Sequence, residues 1–181
     1  MGQIINNLTD YNPPEAESSW LRLEEGTTVI RILSHVYHFQ NHYLPDQKKS
    51  VDCTGNIATC QWCQKGNKPR SRWAYYVLNR NTGDVKVFEM GWQIFGSILA
   101  LAKDKDYGDP RNYDLKITRK GTGRDTEYTV IPGKAAKLTE DEEKTLAALG
   151  VETAEKATSE LLKFYQKDSD ELAEEVDEAL S

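Results

Sequence analysis

Apolar positions along this chain follow two different periods. Between Arg72 and Leu78 the period is two: Trp73, Tyr75 and Val77 point to one side of a strand, and Ala74, Tyr76 and Leu78 to the other. Residues 79–84, Asn-Arg-Asn-Thr-Gly-Asp, read as a hairpin turn, and residues 85–88 as the returning strand. From Gly91 the period changes. Ile94, Ile98 and Leu101 fall on one helical face, flanked by Trp92, Phe95 and Leu99, which predicts a core helix over residues 91–103.

Upstream, Trp20 to Leu23 reads as a short strand and residues 27–39, rich in β-branched and aromatic residues, as one long strand. Downstream, residues 112–119 and 125–131 form a second hairpin, with Pro132-Gly133 ending the sheet. Thr139 with Glu142 three residues later marks a helix start, and Gly150 its end. Residues 152–165 suit another amphipathic helix. Strands, a turn-rich insertion, a hairpin, one helix and a further hairpin predict a mainly β fold with α additions. That order suits an OB-fold, a five-stranded Greek-key barrel with its helix in the third connection.

Domain boundaries follow the same pattern. We expect an extended arm over residues 1–19, an OB core over 20–137 with a metal segment at about 41–66, a helical extension over 138–167 and an acidic tail over 168–181. At 181 residues and 38% hydrophobic content, the chain holds one domain with appendages. Its longest apolar stretch, residues 92–102, is too short to cross a bilayer, and no signal peptide is visible, which predicts a cytosolic protein away from membranes.

The net charge of −6 is a sum of unlike parts. Residues 1–21 carry −3 and residues 138–181 carry −10, whereas residues 22–137 hold 19 Lys and Arg against 12 Asp and Glu. A basic body attracts polyanions. The last fourteen residues hold seven acids and no base, with Leu172, Val176 and Leu180 spaced by four. They suit a partner-binding helix that competes with a polyanion for the body.

The chemistry concentrates in residues 53–63, which hold all three cysteines. Cys60 and Cys63, two residues apart, can reach one tetrahedral ion from a single turn, and Cys53 can return to it after a Thr-Gly-Asn turn. An odd number argues against a disulfide framework. The fourth ligand comes from His35, His38 or His42, the only histidines. His42 is nearest to Cys53; His35 and His38 lie in an apolar run that suits strand packing. Such a closed set is a structural zinc site. A zinc enzyme is disfavoured: there is no His-x-Glu with Pro-Cys-x-x-Cys, no His-Glu-x-x-His, no Gly-x-Ser-x-Gly and no phosphate-cradling loop. The chain reads as a binding protein rather than an enzyme.

The order Thr28-Val-Ile-Arg31-Ile-Leu33, Asn41-His42, Cys53, Cys60-x-x-Cys63, Trp73-Ala74 and Lys86-Val87-Phe88 before a helix resembles the zinc-containing single-stranded DNA-binding protein of T-even bacteriophages. The resemblance spans approximately residues 28–100. It implies one zinc held by His42, Cys53, Cys60 and Cys63. It implies a protein that coats and protects single-stranded DNA in phage replication, recombination and repair, and whose acidic tail recruits replication partners. The family's basic N-terminal arm has no counterpart, since residues 1–21 hold no Lys or Arg; a monomer or weak self-association is expected.

Single strands expose base faces to aromatic side chains and phosphates to cations. The candidate stackers are Tyr43, Trp62, Trp73, Tyr75 and Tyr76. Tyr75 is favoured over Tyr76, because Ala74 and Leu78 share Tyr76's face and suit an interior. The connector contributes Lys65, Lys68, Arg70 and Arg72, and the turn before Cys53 contributes Lys48 and Lys49. Arg80 and the second hairpin's Arg119, Lys120 and Arg124 complete the set. The alternative function is a zinc-clipped interaction module of a replication or transcription complex, whose basic face binds an acidic protein.

Overall fold

The computed structural model describes the backbone of residues 18–179 and side chains as far as Gln166. The expected N-terminal arm to residue 17, and the side chains of the acidic tail, lie outside the described residues.

Among the described residues, seven strands form one antiparallel sheet: β1 (Gly26–Ile32), β2 (Tyr37–Leu44), β3 (Lys49–Asp52), β4 (Arg70–Asn79), β5 (Val85–Met90), β6 (Tyr113–Lys120) and β7 (Glu127–Ala135). The strand order is β3-β2-β4-β1-β6-β7, and β5 pairs with β4. The described residues add four α-helices: α1 (Gln61–Gln64), α2 (Trp92–Lys103), α3 (Glu140–Ala148) and α4 (Ala154–Ala179). The expectation of a mainly β protein with α additions holds.

The long strand expected over residues 27–39 is broken. β1 pairs Ile32 with Val77, and β2 pairs Tyr37 with Ala74, so residues 33–36 stand opposite only Tyr75 and Tyr76. Ser34 fills the gap: its hydroxyl accepts from Tyr76 N at 2.9 Å, while the His35 amide donates to Thr158 Oγ1 of α4 at 2.9 Å. A hydroxyl thus substitutes for a missing ladder carbonyl. The break lets one strand, β4, pair with β1 at one end and β2 at the other. The short strand expected from Trp20 is a parallel bridge to Val87. Pro132 and Gly133 do not end the sheet. They sit at a one-residue register shift, and β7 runs on to Ala135.

The main core lies on the β4 face that carries Tyr75 and Val77, packed with Ile30, Phe88, Leu115 and, from α2, Ile94, Phe95 and Ile98. The opposite face is covered as well. Leu78 packs with Leu33, Leu146 and Ala157, and Ala74 with Val87 and Leu161. Trp20, Tyr37, Phe39, Phe164 and Tyr165 surround the second group. Tyr75 therefore does not face outward. It is 6% exposed, and burial pushes its phenol up to about 12. Tyr76 lies under α3 and α4.

α3 starts with the predicted capping box: Glu142 N donates to Thr139 Oγ1 at 3.3 Å, and Thr139 N to Glu142 Oε2 at 2.8 Å. Helix α4 runs through the boundary drawn at residue 168 without interruption.

Candidate metal centre and nucleic-acid interface

β2 and β3 are joined by a turn at residues 45–48, and the hairpin delivers Cys53 beside β2, where its amide donates to Gln40 O at 2.9 Å. Asn56 organises the next bend. Its side chain accepts from Ala58 N at 2.9 Å, and its carbonyl accepts from Thr59 and Cys60 N. Cys60 caps α1, which carries Cys63 one turn further, so both thiols project to one side. Gly66, at φ 80°, then reverses the chain and its amide closes on Cys63 O at 2.9 Å.

His42, fully buried, faces this loop. Its Nε2 lies 3.3 Å from Cys60 Sγ and 3.5 Å from Cys63 Sγ, and Cys53 Sγ lies 3.9 and 3.7 Å from those two sulfurs. All four ligand atoms fall within 4.8 Å of one another. A tetrahedral ion with bonds of about 2.3 Å to sulfur and 2.0–2.1 Å to nitrogen sets S···S near 3.8 Å and S···N near 3.5 Å. The group fits one metal ion. A disulfide needs about 2.05 Å, and the three cysteines are free. Backbone hydrogen bonds from Cys63, Thr54 and Trp62 lower the Cys60 thiol. Burial and the neighbouring sulfurs raise Cys63. His35 and His38, the other candidates for fourth ligand, are exposed on the surface.

One participant was invisible in the sequence. Asn67 Oδ1 lies 3.4 Å from His42 Nδ1, and Asn67 Nδ2 donates to Tyr43 O at 3.0 Å. With Nδ1 donating to Asn67, Nε2 keeps its lone pair toward the thiols. Nothing in the pattern Gly66-Asn67 beyond a turn signal marks this role.

Cations meet aromatics next to two of the cluster's residues, Tyr43 following His42 and Trp62 preceding Cys63. Arg70 lies over the Tyr43 ring at 5.4 Å, and Lys65 over the Trp62 ring at 4.8 Å. Tyr43 is 37% exposed. Lys48, Lys49, Lys65, Lys68 and Arg70 are all exposed around this end of β2, β3 and β4.

One relative carries a DNA-binding name. Over 89 residues, 49% of this chain, the sequence is 33% identical to a probable ssDNA-binding protein of Escherichia phage T5. The match covers 32% of that protein, so the chain spans about a third of the length of the relative it matches. No protein-family model matches, and neither does any solved structure.

The remaining predicted contacts lie elsewhere or are engaged internally. Arg72 pairs with Glu89 at 3.0 Å. Arg80 pairs with Asp114 at 3.2 Å and with Glu142 of α3. Arg119 Nη1 donates to Leu23 O at 2.8 Å. Lys120 and Arg124 are exposed at the β6–β7 turn, across the strand order from β3. Trp73 is half-buried against Phe95, and Tyr75 is core. No helix among the described residues is long and apolar enough to cross a membrane.

Proposed function

We propose that this protein binds single-stranded DNA without reading its sequence, and that it is a diverged member of the zinc-containing phage class it resembles. The observation that carries this reading is the pairing of rings with cations beside the Cys3His cluster, exposed Tyr43 with Arg70 and half-buried Trp62 with Lys65. A ring offers a face to any base, and a neighbouring cation offers charge to the phosphate. The name of the phage T5 relative supports the same ligand.

The ion is zinc, because three thiolates and one imidazole in a tetrahedral set suit it. When bound it cross-links the 53–63 loop to β2. Four protein ligands leave no position for a substrate water, so the protein acts by binding and not by catalysis. The strand order β5-β4-β1-β6-β7, with α2 between β5 and β6, supports reading these five strands as an OB-fold. Coating single strands during phage replication, recombination and repair in the host cytoplasm, with partners recruited by the acidic tail, is the role this activity would serve.

The test is a fluorescence titration of the full chain with labelled single- and double-stranded oligonucleotides at two salt concentrations. Tight binding to single strands that weakens steeply with salt is the expected result. Indifference to both oligonucleotides would sink the proposal and leave the protein-interaction module in its place.

A further inference from the structure

Residues of β2 that directly face partners on β4 share a side of the sheet. His38 pairs with Trp73 and Gln40 with Ser71, so these four lie on one face with His42, two residues further along β2. His42 reaches the cysteine loop, which places that loop on the same face. From the metal cluster the surface therefore runs past exposed Gln40 and exposed His38 to Trp73. There the rings stack: His38 on Trp73 at 5.2 Å, and Trp73 on Phe95 of α2 at 4.5 Å and 7°. Trp92 leans against Trp73 at 5.7 Å and is 61% exposed.

A large indole left this open needs a reason. The helix beneath it supplies a second observation. Gly96 occupies the middle of α2, where alanine would favour the helix by about 0.5–1 kcal/mol. A methyl group at Gly96 would stand 3.2 Å from Trp92 Cε2. The indole thus lies against the bare backbone of its own helix, one turn on, and is held in place while its surface stays exposed. Exposed Arg22 and the Arg72–Glu89 pair line a cleft of about 470 Å3 with Trp92.

We propose that His38, Trp73 and Trp92 form a base-stacking strip for single-stranded DNA, running from the metal loop to the start of α2, with Trp92 as its outermost ring and Arg22 as its phosphate contact. This rests on the single-stranded DNA reading and extends it to His38, Trp92 and Arg22. The occupant is a nucleic acid strand because two rings that reach solvent, His38 and Trp92, flank half-buried Trp73 among polar side chains along a basic body. A protein partner would call for a continuous apolar patch.

The experiment uses the full chain, labelled oligo-dT and the variants Trp92→Ala, Trp92→Phe and His38→Ala. Trp92→Ala is expected to weaken binding by roughly five- to a hundredfold, with the salt slope unchanged, because a stacked ring carries no charge. Trp92→Phe should recover most of the loss, and His38→Ala should weaken binding as well. Both positions are exposed, so the thermal midpoint should not move. If the unsubstituted protein binds oligo-dT and both alanine variants bind as tightly, the strip is wrong and the single-stranded DNA reading survives. If the unsubstituted protein does not bind, both fall.

Discussion

Asn67 holds His42 from the side opposite the three thiols. Its Oδ1 meets Nδ1 at 3.4 Å while Nε2 stands 3.3 Å from Cys60 Sγ. The same amide ties to Tyr43 O, so one side chain links the metal ligand, the neighbouring candidate stacker and the end of the cysteine loop.

Removing that link should be felt at the metal first. Asn67→Ala is expected to weaken zinc binding by about 10–100-fold, the usual cost of losing a partner that orients a ligating histidine. Competition with a colorimetric chelator measures it. An unchanged affinity would mean that the buried packing of His42 alone fixes its ring.

Metal removal should act locally. The 53–63 loop is polar and contains only the single turn α1, whereas the main core around Ile30, Val77 and Phe88 contains no metal ligand. Chelation should release about one zinc per chain and raise protease sensitivity between residues 41 and 68, with the core intact. Cys60→Ser should do the same. Metal content unaffected by Cys60→Ser would refute the ligand set.

Lys68 and Arg70 are exposed and Arg72 is paired with Glu89, so the first two should carry the connector's phosphate contacts. Replacing both with Ala should weaken binding similarly for all sequences. The slope of log affinity against log salt should fall by about 1.4, at about 0.7 per contact on single strands. A titration series in rising salt reads this directly, and an unaltered slope would reduce both residues to solvated charges.

Residues 168–181 carry seven acids, and the helix that leads into them is anchored by Leu161, Phe164 and Tyr165. Truncation after Gln166 keeps those anchors. It should raise affinity for single strands, most at low salt, where a tethered acidic segment competes best for the basic body. Equal affinities at low salt would leave the segment a solubility tail.

The carboxylate of Asp109 accepts from Arg111 Nε and Nη2, at 3.0 and 2.6 Å, and caps the turn at residues 110–112. The Arg111 side chain holds it below its ordinary value of 3.8. A depressed carboxylate contributes stability above its unfolded pKa and loses it as pH falls through the folded one. The stability advantage of wild type over Asp109→Asn should therefore persist down to about pH 3.8 and shrink below it. Urea denaturation of both proteins across that range checks it, since their difference cancels any common loss of metal. A constant difference would mean that the cap, not the charge, is what matters.

Elements with a local cause could be read from the chain. The alternation of residues 72–78, the period change at Gly91 and the capping box at Thr139 each depend on neighbours a few positions away, and each element forms. Cysteine spacing likewise marked the metal group, because Cys60 and Cys63 are one helical turn apart. What required the tertiary structure was every choice between two equivalent sides. Tyr75 and Tyr76 are adjacent and of one type; only the docking of α3 and α4 on one face, and of α2 on the other, made Tyr75 core. His42 shares a face of β2 with His38, and only its place further along the strand, beside the cysteine loop, singled it out. Arg72 and Arg80 looked as free as Arg70 until strand pairing set Glu89 beside one and Asp114 near the other. Charge and ring type are written in the chain, but whether they meet solvent depends on contacts between residues far apart in it.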